Sequence, residues 1–294
     1  MEPLGTWVTG VAATAVGGLA YSAGYEARAY TLREFSMPVL PVGARDIRVL
    51  HLSDLHMTPP QRKKQQWLRD LAALEPDLVV VTGDFLAHMR AVPVVLDALE
   101  PLSRFPGVFV FGSNDYYGPK IKNPARYLFP DSGRRIHGPD LPWRDLRDGL
   151  SARGWVDLTH RRATMTINDV PLEFRGVDDP HLLLDDYSMV AGAVADGHVG
   201  IGVTHAPYLR VLDAMSADSL PLILAGHTHG GQLCLPFVGA LTTNCDLDLK
   251  RAKGVHRHGD AWMHVSAGIG TNPYTPVRFA CRPEASLLTL RAID

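Results

Sequence analysis

The stretch LPLILAGHTHGGQ (220–232) runs an apolar segment directly into two histidines, His227 and His229, set two positions apart among three glycines. A short Leu/Ile run closed by glycine reads as a buried strand. Imidazoles at its carboxyl end answer no packing need. On a glycine-rich turn they reach two adjacent ligand positions, which the same i, i+2 spacing on a helix does not allow. Open α/β sheets bind their ligands in the crevice beyond the carboxyl ends of the strands.

The same arrangement recurs along the chain. IRVLHL (47–52) is followed by Asp54 and His56, and DLVVV (77–81) by Asp84. GVFVF (107–111) is followed by Asn114 and Asp115, and VGIGV (199–203) by His205. Gly83, Gly112, Gly226 and Gly230 sit where the backbone has to turn sharply or approach a ligand closely. Each piece alone has an ordinary explanation as a turn aspartate, a loop histidine or a helix cap. Their shared place after five apolar runs points instead to one polar site on the crest of a sheet.

The remaining pattern agrees with an α/β fold. Apolar spacing predicts helices around Trp67–Leu74, Val94–Leu99 and Trp143–Leu150, the last stopped by Gly154. TMTINDVPLEF (164–174) predicts an antiparallel hairpin turning at Asn168-Asp169, and WMHVS (262–266) and SLLTL (286–290) predict further strands. Parallel and antiparallel strands with interleaved helices imply one α/β domain of two packed mixed β-sheets flanked by helices. With 294 residues, 46% hydrophobic and a net charge of -2, the chain carries no basic footprint, so no nucleic-acid partner is expected. Three cysteines, widely spaced and in no C-x-x-C pair, read as free thiols.

Residues 1–30 stand apart. Leu4 to Tyr25 contains no charge, a length sufficient for a spanning helix, and no Lys/Arg n-region of a secretory signal precedes it. The segment is a candidate membrane anchor; the alternative is an apolar helix lying on the catalytic domain. The expected organisation is this segment, a linker over 31–45 with Pro38 and Pro41, and a catalytic domain over 46–294. A membrane-associated protein follows if the segment anchors, and a cytoplasmic one if it does not.

The ordered blocks Asp54-Leu55-His56, Gly83-Asp84, Gly112-Ser113-Asn114-Asp115, His205 and Gly226-His227-Thr228-His229 resemble the calcineurin-like metallophosphoesterase superfamily. HLSDLH, GHTHGGQLCLPFVGAL and NPYTPVRFACRPE are similar to its bacterial membrane-associated branch, which includes lipid-A-pathway UDP-diacylglucosamine pyrophosphatases. The resemblance implies an α/β/β/α sandwich and two divalent metal ions. His229, Asp54 and His56 would hold one, His205, His227 and Asn114 the other, and Asp84 would bridge. Imidazole with carboxylate suits Mn, Fe, Zn or Co, with Mn expected to serve in vitro. The implied activity is hydrolysis of a phosphodiester or pyrophosphate by a metal-bridging hydroxide, on a phosphorylated small molecule or lipid-linked substrate. The alternative is a catalytically weak scaffold of the same fold that binds a protein partner.

One block departs from the pattern: G-N-H-D stands here as G-S-N-D. Aligned without a gap, Ser113 replaces the metal-binding asparagine and Asn114 the proton-donating histidine. With a one-residue shift, Asn114 keeps its metal and Asp115 takes the histidine's place; this second alignment is preferred because an amide carbonyl is the better ligand. Asn114, Asp115 and His205 are therefore the expected catalytic residues. His181 is a candidate substitute donor, or an exposed loop histidine, and Asp178 and Asp179 beside it are either near the metals or turn residues. The basic loop 116–140 is expected to gather an anionic substrate through Lys120 and Lys122, with Tyr116 and Tyr117 at the mouth. His256 and His258 are placed in a polar loop outside the site, and His51 and His264 at packing positions.

Overall fold

Val, Ile and Leu alternate along each central strand so that both faces are apolar, and such strands must be covered on both sides. The computed structural model, which describes residues 17–120 and 137–293, meets this with four layers. The strands are β1 (Thr31–Leu40), β2 (Ile47–Leu52), β3 (Leu78–Thr82), β4 (Gly107–Val110), β5 (Val156–Asp157), β6 (Arg161–Ile167), β7 (Val170–Gly176), β8 (Val199–Val203), β9 (Leu222–Ala225), β10 (Cys234–Leu235), β11 (Gly239–Ala240), β12 (Gly254–His258), β13 (Ala261–Val265) and β14 (Glu284–Ala292). One sheet has the order β1-β14-β2-β3-β4-β5 and the other β12-β13-β9-β8-β7-β6. The strands that feed the polar crest run parallel, β2-β3-β4 in the first sheet and β8-β9 in the second. Their carboxyl ends therefore open on one side of the molecule.

The expected sandwich of two mixed sheets is what the chain adopts. Between the sheets, Val49, Val80 and Val110 meet Phe174, Ile201 and Leu224. On the outer face of the first sheet Val79, Val81 and Phe109 pack with Leu68, Val95 and Leu146, which come from the helices Arg62–Asp70, Val92–Leu99 and Trp143–Ser151. Leu212 and Met215 of a fourth helix, Leu209–Ala217, cover Ile223 and Met263 on the second. Asn168 and Asp169 both take positive φ, the geometry of a tight hairpin between antiparallel β6 and β7.

Two expectations are corrected. The presumed linker contains β1, a ten-residue edge strand paired parallel to β14. Its Pro38 is tolerated because an edge strand needs donors on one side only, and the register shifts just after it. His256 and His258 lie on β12, antiparallel to β13, and not in a loop. The helix Leu209–Ala217 was not anticipated. Of the uncharged N-terminal segment, residues 4–16 lie outside the described residues; Tyr21–Tyr25 and Glu26–Arg28 form single helical turns. Among the described residues no helix is long and apolar enough to cross a membrane.

Candidate metal centre

Every group of the site leaves the end of a strand on a turn, and the turns are conformationally costly. Asp54, His56, Asp84, His227 and His229 all have φ between +41° and +71°. Non-glycine residues rarely occupy this left-handed region, and where they cluster the surrounding structure holds them there for function. Glycine is needed where chains nearly touch. A Cβ at Gly226 would fall 1.8 Å from Ser53 Oγ, and one at Gly112 would fall 2.4 Å from Asp84 Oδ1.

The turns converge. Asp54, His56, Asp84 and His229 each offer one ligating atom, all within 4.8 Å of one another. His56 Nε2 is 3.1 Å from His229 Nε2, and His229 Nε2 is 3.4 Å from Asp54 Oδ1, a buried oxygen with no hydrogen-bond partner. Across Asp84, His205 Nε2 lies 3.5 Å from its Oδ2 and 3.3 Å from His227 Nδ1. The same Oδ2 is 3.5 Å from His56 Nε2.

The outer nitrogens of three of these rings each face a backbone carbonyl. His205 Nδ1 meets Thr82 O at 2.6 Å, His227 Nε2 meets Asn244 O at 3.1 Å and His229 Nδ1 meets Gly270 O at 3.2 Å. A carbonyl can only accept, so on His205 and His227 a ring proton sits on the outer nitrogen; His229 Nδ1 also lies 3.3 Å from the Arg278 guanidinium, which can only donate. Inward-facing imidazole nitrogens and a partnerless carboxylate oxygen around one space suit a cation of the imidazole-binding class, and the residues fit a divalent metal.

Electrostatics set His56 and His229, kept neutral, apart from His205, which holds a second proton through Asp84. Burial drives His56 down to about 4 against the pull of Asp84, and drives His229 down to about 3, so both rings stay neutral. Burial also opposes charge on Asp84 and His205, but their mutual attraction prevails: Asp84 is held well below the usual carboxylate range and His205 well above that of imidazole. Beneath His229, fully buried Arg278 donates to the carbonyls of Ala267, Gly268 and Gly270 at 2.7–3.0 Å, fixing the strand-end loop that carries the acceptor for His229.

Above these groups lies a cavity of about 120 Å³ lined by His56, Asp84, Asn114, Lys120, His227 and His229, among others. Asn114 reaches Asp84 twice, by its backbone N–H to Oδ1 at 2.8 Å and by its side-chain amide to Oδ2 at 2.7 Å. Asp115 is corrected. It does not stand in the histidine's place but is completely buried, its carboxylate accepting backbone N–H from Asp84, Leu86 and Gly112. Burial and the adjacent Asp84 charge push its pKa up to about 8. Its work is to tie the β3 and β4 turns together.

His181, by contrast, lines the cavity, with its ring centroid 4.5 Å from that of His227 and its Nδ1 3.1 Å from Tyr208 Oη. Asp179 beside it is fully buried, and Asp178 accepts from Tyr116 Oη at 2.6 Å, which takes Tyr116 away from the mouth. Tyr117 does line the cavity, as does exposed Lys120; Lys122 lies outside the described residues. His51 and His264 face one another in the buried interior, Nδ1 to Nδ1 at 2.8 Å, away from the cavity. Sequence reasoning missed Arg278 and Asn244. Arg278 sits two residues before an alanine-cysteine pair in a segment with no periodicity, and only burial of so large a cation marks it.

The family model described as calcineurin-like phosphoesterase matches residues 47–231, more than half of the chain. The chain is 24% identical to the metallophosphoesterase YkuE of Bacillus subtilis (strain 168), over 96% of this chain and 93% of that one. It is 24% identical to the phosphodiesterase YaeI of Escherichia coli (strain K12), over 84% and 83% respectively. A Bos taurus transmembrane protein with metallophosphoesterase domain is 27% identical over 90% of this chain and 57% of its own length. With these turns and this match, the chain belongs to the calcineurin-like phosphoesterase family and is a metal-dependent phosphoesterase.

Proposed function

We propose that the protein hydrolyses a phosphodiester or pyrophosphate at a centre of two divalent cations that share Asp84. The observation that carries this is the single oxygen, Asp84 Oδ2, 3.5 Å from an imidazole nitrogen on each side. Asp54, His56 and His229 would hold one cation, and His205, His227 and Asn114 the other. The Asn114 amide turned end for end offers its oxygen, since the two orientations are assigned only from hydrogen bonding. Mn, Fe, Zn and Co all suit the donor set, and manganese is the choice in vitro. Bound there, the cations supply Lewis acidity that polarises phosphoryl oxygens and lowers the pKa of water.

The chain does the rest. Lys120, with Lys122, attracts the anionic substrate, and the strained turns hold the ligands in place before it arrives. His181, oriented by Tyr208, holds a proton at the cavity wall and passes it to the leaving oxygen, the task that Asp115 is too deeply engaged to perform. The name phosphodiesterase carried by the Escherichia coli relative supports a diester, and the similarity of GHTHGGQLCLPFVGAL to the lipid-A branch supports a pyrophosphate.

The test uses the full chain stripped of metal, with and without Mn²⁺, on bis(p-nitrophenyl) phosphate beside the corresponding monoester, with His227→Ala as control. Diester turnover that requires metal and vanishes in the variant is the expected result. Metal binding without turnover of diester or pyrophosphate would replace the hydrolase with the protein-binding scaffold.

A further inference from the structure

Two of the three cysteines lie against the turn that carries His229. Cys234 opens β10, and Cys281 comes up beside it through two backbone bonds. Phe279 N–H bonds Gln232 O at 3.0 Å and Cys234 N–H bonds Phe279 O at 2.9 Å, which clamps the two segments together. Both side chains are buried, at 5% and 1% exposure, the thiols are free, and they hydrogen-bond one another. They also share an acceptor. Gly230 O is 3.2 Å from Cys234 Sγ and 3.5 Å from Cys281 Sγ, and Cys281 Sγ lies 3.3 Å from His229 O. A Cβ at Gly230 would fall 2.8 Å from Cys281 Sγ, so the pair is packed hard against the turn. Cys245, the third cysteine, packs with a different apolar cluster.

The metal centre makes no use of these sulfurs. Two thiols beside backbone carbonyls suit a soft cation by donor type alone, but two positive groups oppose it. Lys253 Nζ is 3.7 Å and Arg278 Nη1 3.9 Å from Cys281 Sγ. Reactive cysteines sit in such electropositive surroundings, and a second thiol within contact distance is what turns an oxidised sulfur into a disulfide. Access comes from a recess of about 340 Å³ whose lining includes Lys253, Ala280 and Arg282, the last two flanking Cys281 in the chain. Hydrogen peroxide is small enough to enter it.

We propose that Cys234 and Cys281 are a modification site, a dithiol that hydrogen peroxide oxidises to a disulfide, and that this oxidation loosens the His229 turn and weakens metal binding. The Cys281 sulfur attacks one peroxide oxygen and the O–O bond breaks. The departing oxygen takes up the thiol proton and leaves as water, and Cys281 becomes a sulfenic acid. The Cys234 sulfur then attacks the Cys281 sulfur: the S–S bond forms, the S–O bond breaks and a second water leaves with the Cys234 proton. The pair is oxidised by two electrons and the peroxide is reduced by two. A disulfide has no S–H to donate, so the carbonyls of His229 and Gly230 lose their sulfur partners, and the sulfurs are drawn towards each other and off the turn. The effect on metal rests on His229 as a ligand in the proposed centre; the disulfide does not.

The full chain, stripped of metal, is treated with hydrogen peroxide, digested without reductant and mapped by mass spectrometry. A Cys234–Cys281 cross-link that dithiothreitol reverses is expected. Mn²⁺ affinity, read by competition with a chelating dye, is expected to fall about tenfold or more on oxidation and to return on reduction. In Cys234→Ser the sulfenic acid has no partner thiol, and dimedone is expected to capture it on Cys281. Intact thiols after peroxide, or a cross-link that includes Cys245, would overturn the dithiol. A reversible Cys234–Cys281 disulfide with unchanged Mn²⁺ affinity would overturn its hold on the turn. Because the cross-link is read without metal, a chain that binds no Mn²⁺ even when reduced would count against the two-cation centre and not against the dithiol.

Discussion

The two walls of the cavity are built on opposite plans. On one, Asp54, His56, Asp84 and His229 crowd four ligating atoms into 4.8 Å, from residues that all take left-handed φ. On the other, Ser113, Asn114 and Asp115 form a short helix whose polar groups are spent on the protein itself, on Asp84 and on backbone amides. The first wall is built to hold a cation; the second braces Asp84 and, in the proposed centre, lends only Asn114 to the other cation. In the proposed function the departing proton is handled not on the Gly112–Asp115 turn but by His181, which lines the same cavity.

Removing the shared carboxylate breaks the first wall most severely. Asp84→Asn is expected to lower kcat/KM by about 10³-fold, the several kcal/mol that Lewis-acid stabilisation is worth, and to halve or abolish the metal content measured by plasma mass spectrometry. Full metal occupancy with near-normal turnover would show that the two sides do not share an oxygen.

His181→Ala sharpens the contrast between the walls. Turnover of a diester with an alkyl leaving group is expected to fall about 10²-fold, while bis(p-nitrophenyl) phosphate, whose leaving group needs no proton, changes little. Equal losses on both substrates would return the ring to a structural role. Arg278→Met loosens the loop beneath His229 and is expected to cost about 10–100-fold in metal affinity by competition with a chelating dye, with kcat at saturating metal nearly preserved. The smallest effect on catalysis belongs to Asp115→Asn. It disturbs three buried amide contacts, so melting should show a loss of about 1–3 kcal/mol while the pH–rate profile keeps its shape. A vanished limb in that profile would restore Asp115 to the chemistry.

Much of this contrast could be read from the chain, and the limits have physical reasons. Strand ends were legible because buried parallel strands are apolar on both faces, so the first polar residues after 47–52, 77–81, 199–203 and 221–225 stand out. Asp115 was misplaced because sequence position gives order and not direction. One residue along a helical turn rotates a side chain by about 100°, here from the cavity into the backbone amides. β1 was hidden by Pro38 within it and Pro41 just after it, since proline argues against a strand except at an edge. Arg278 and Asn244 act on histidines 49 and 17 residues away, contacts that no local pattern encodes.

The central claim, two cations bridged by Asp84, is most directly tested by loading the metal-stripped full chain with Mn²⁺ and recording metal stoichiometry together with the electron paramagnetic resonance spectrum. Two manganese per chain, with the spin-coupled signal of a pair that gives way to an isolated six-line signal in Asp84→Asn, is the predicted result. A single uncoupled manganese per chain, unaltered by that substitution, would contradict it.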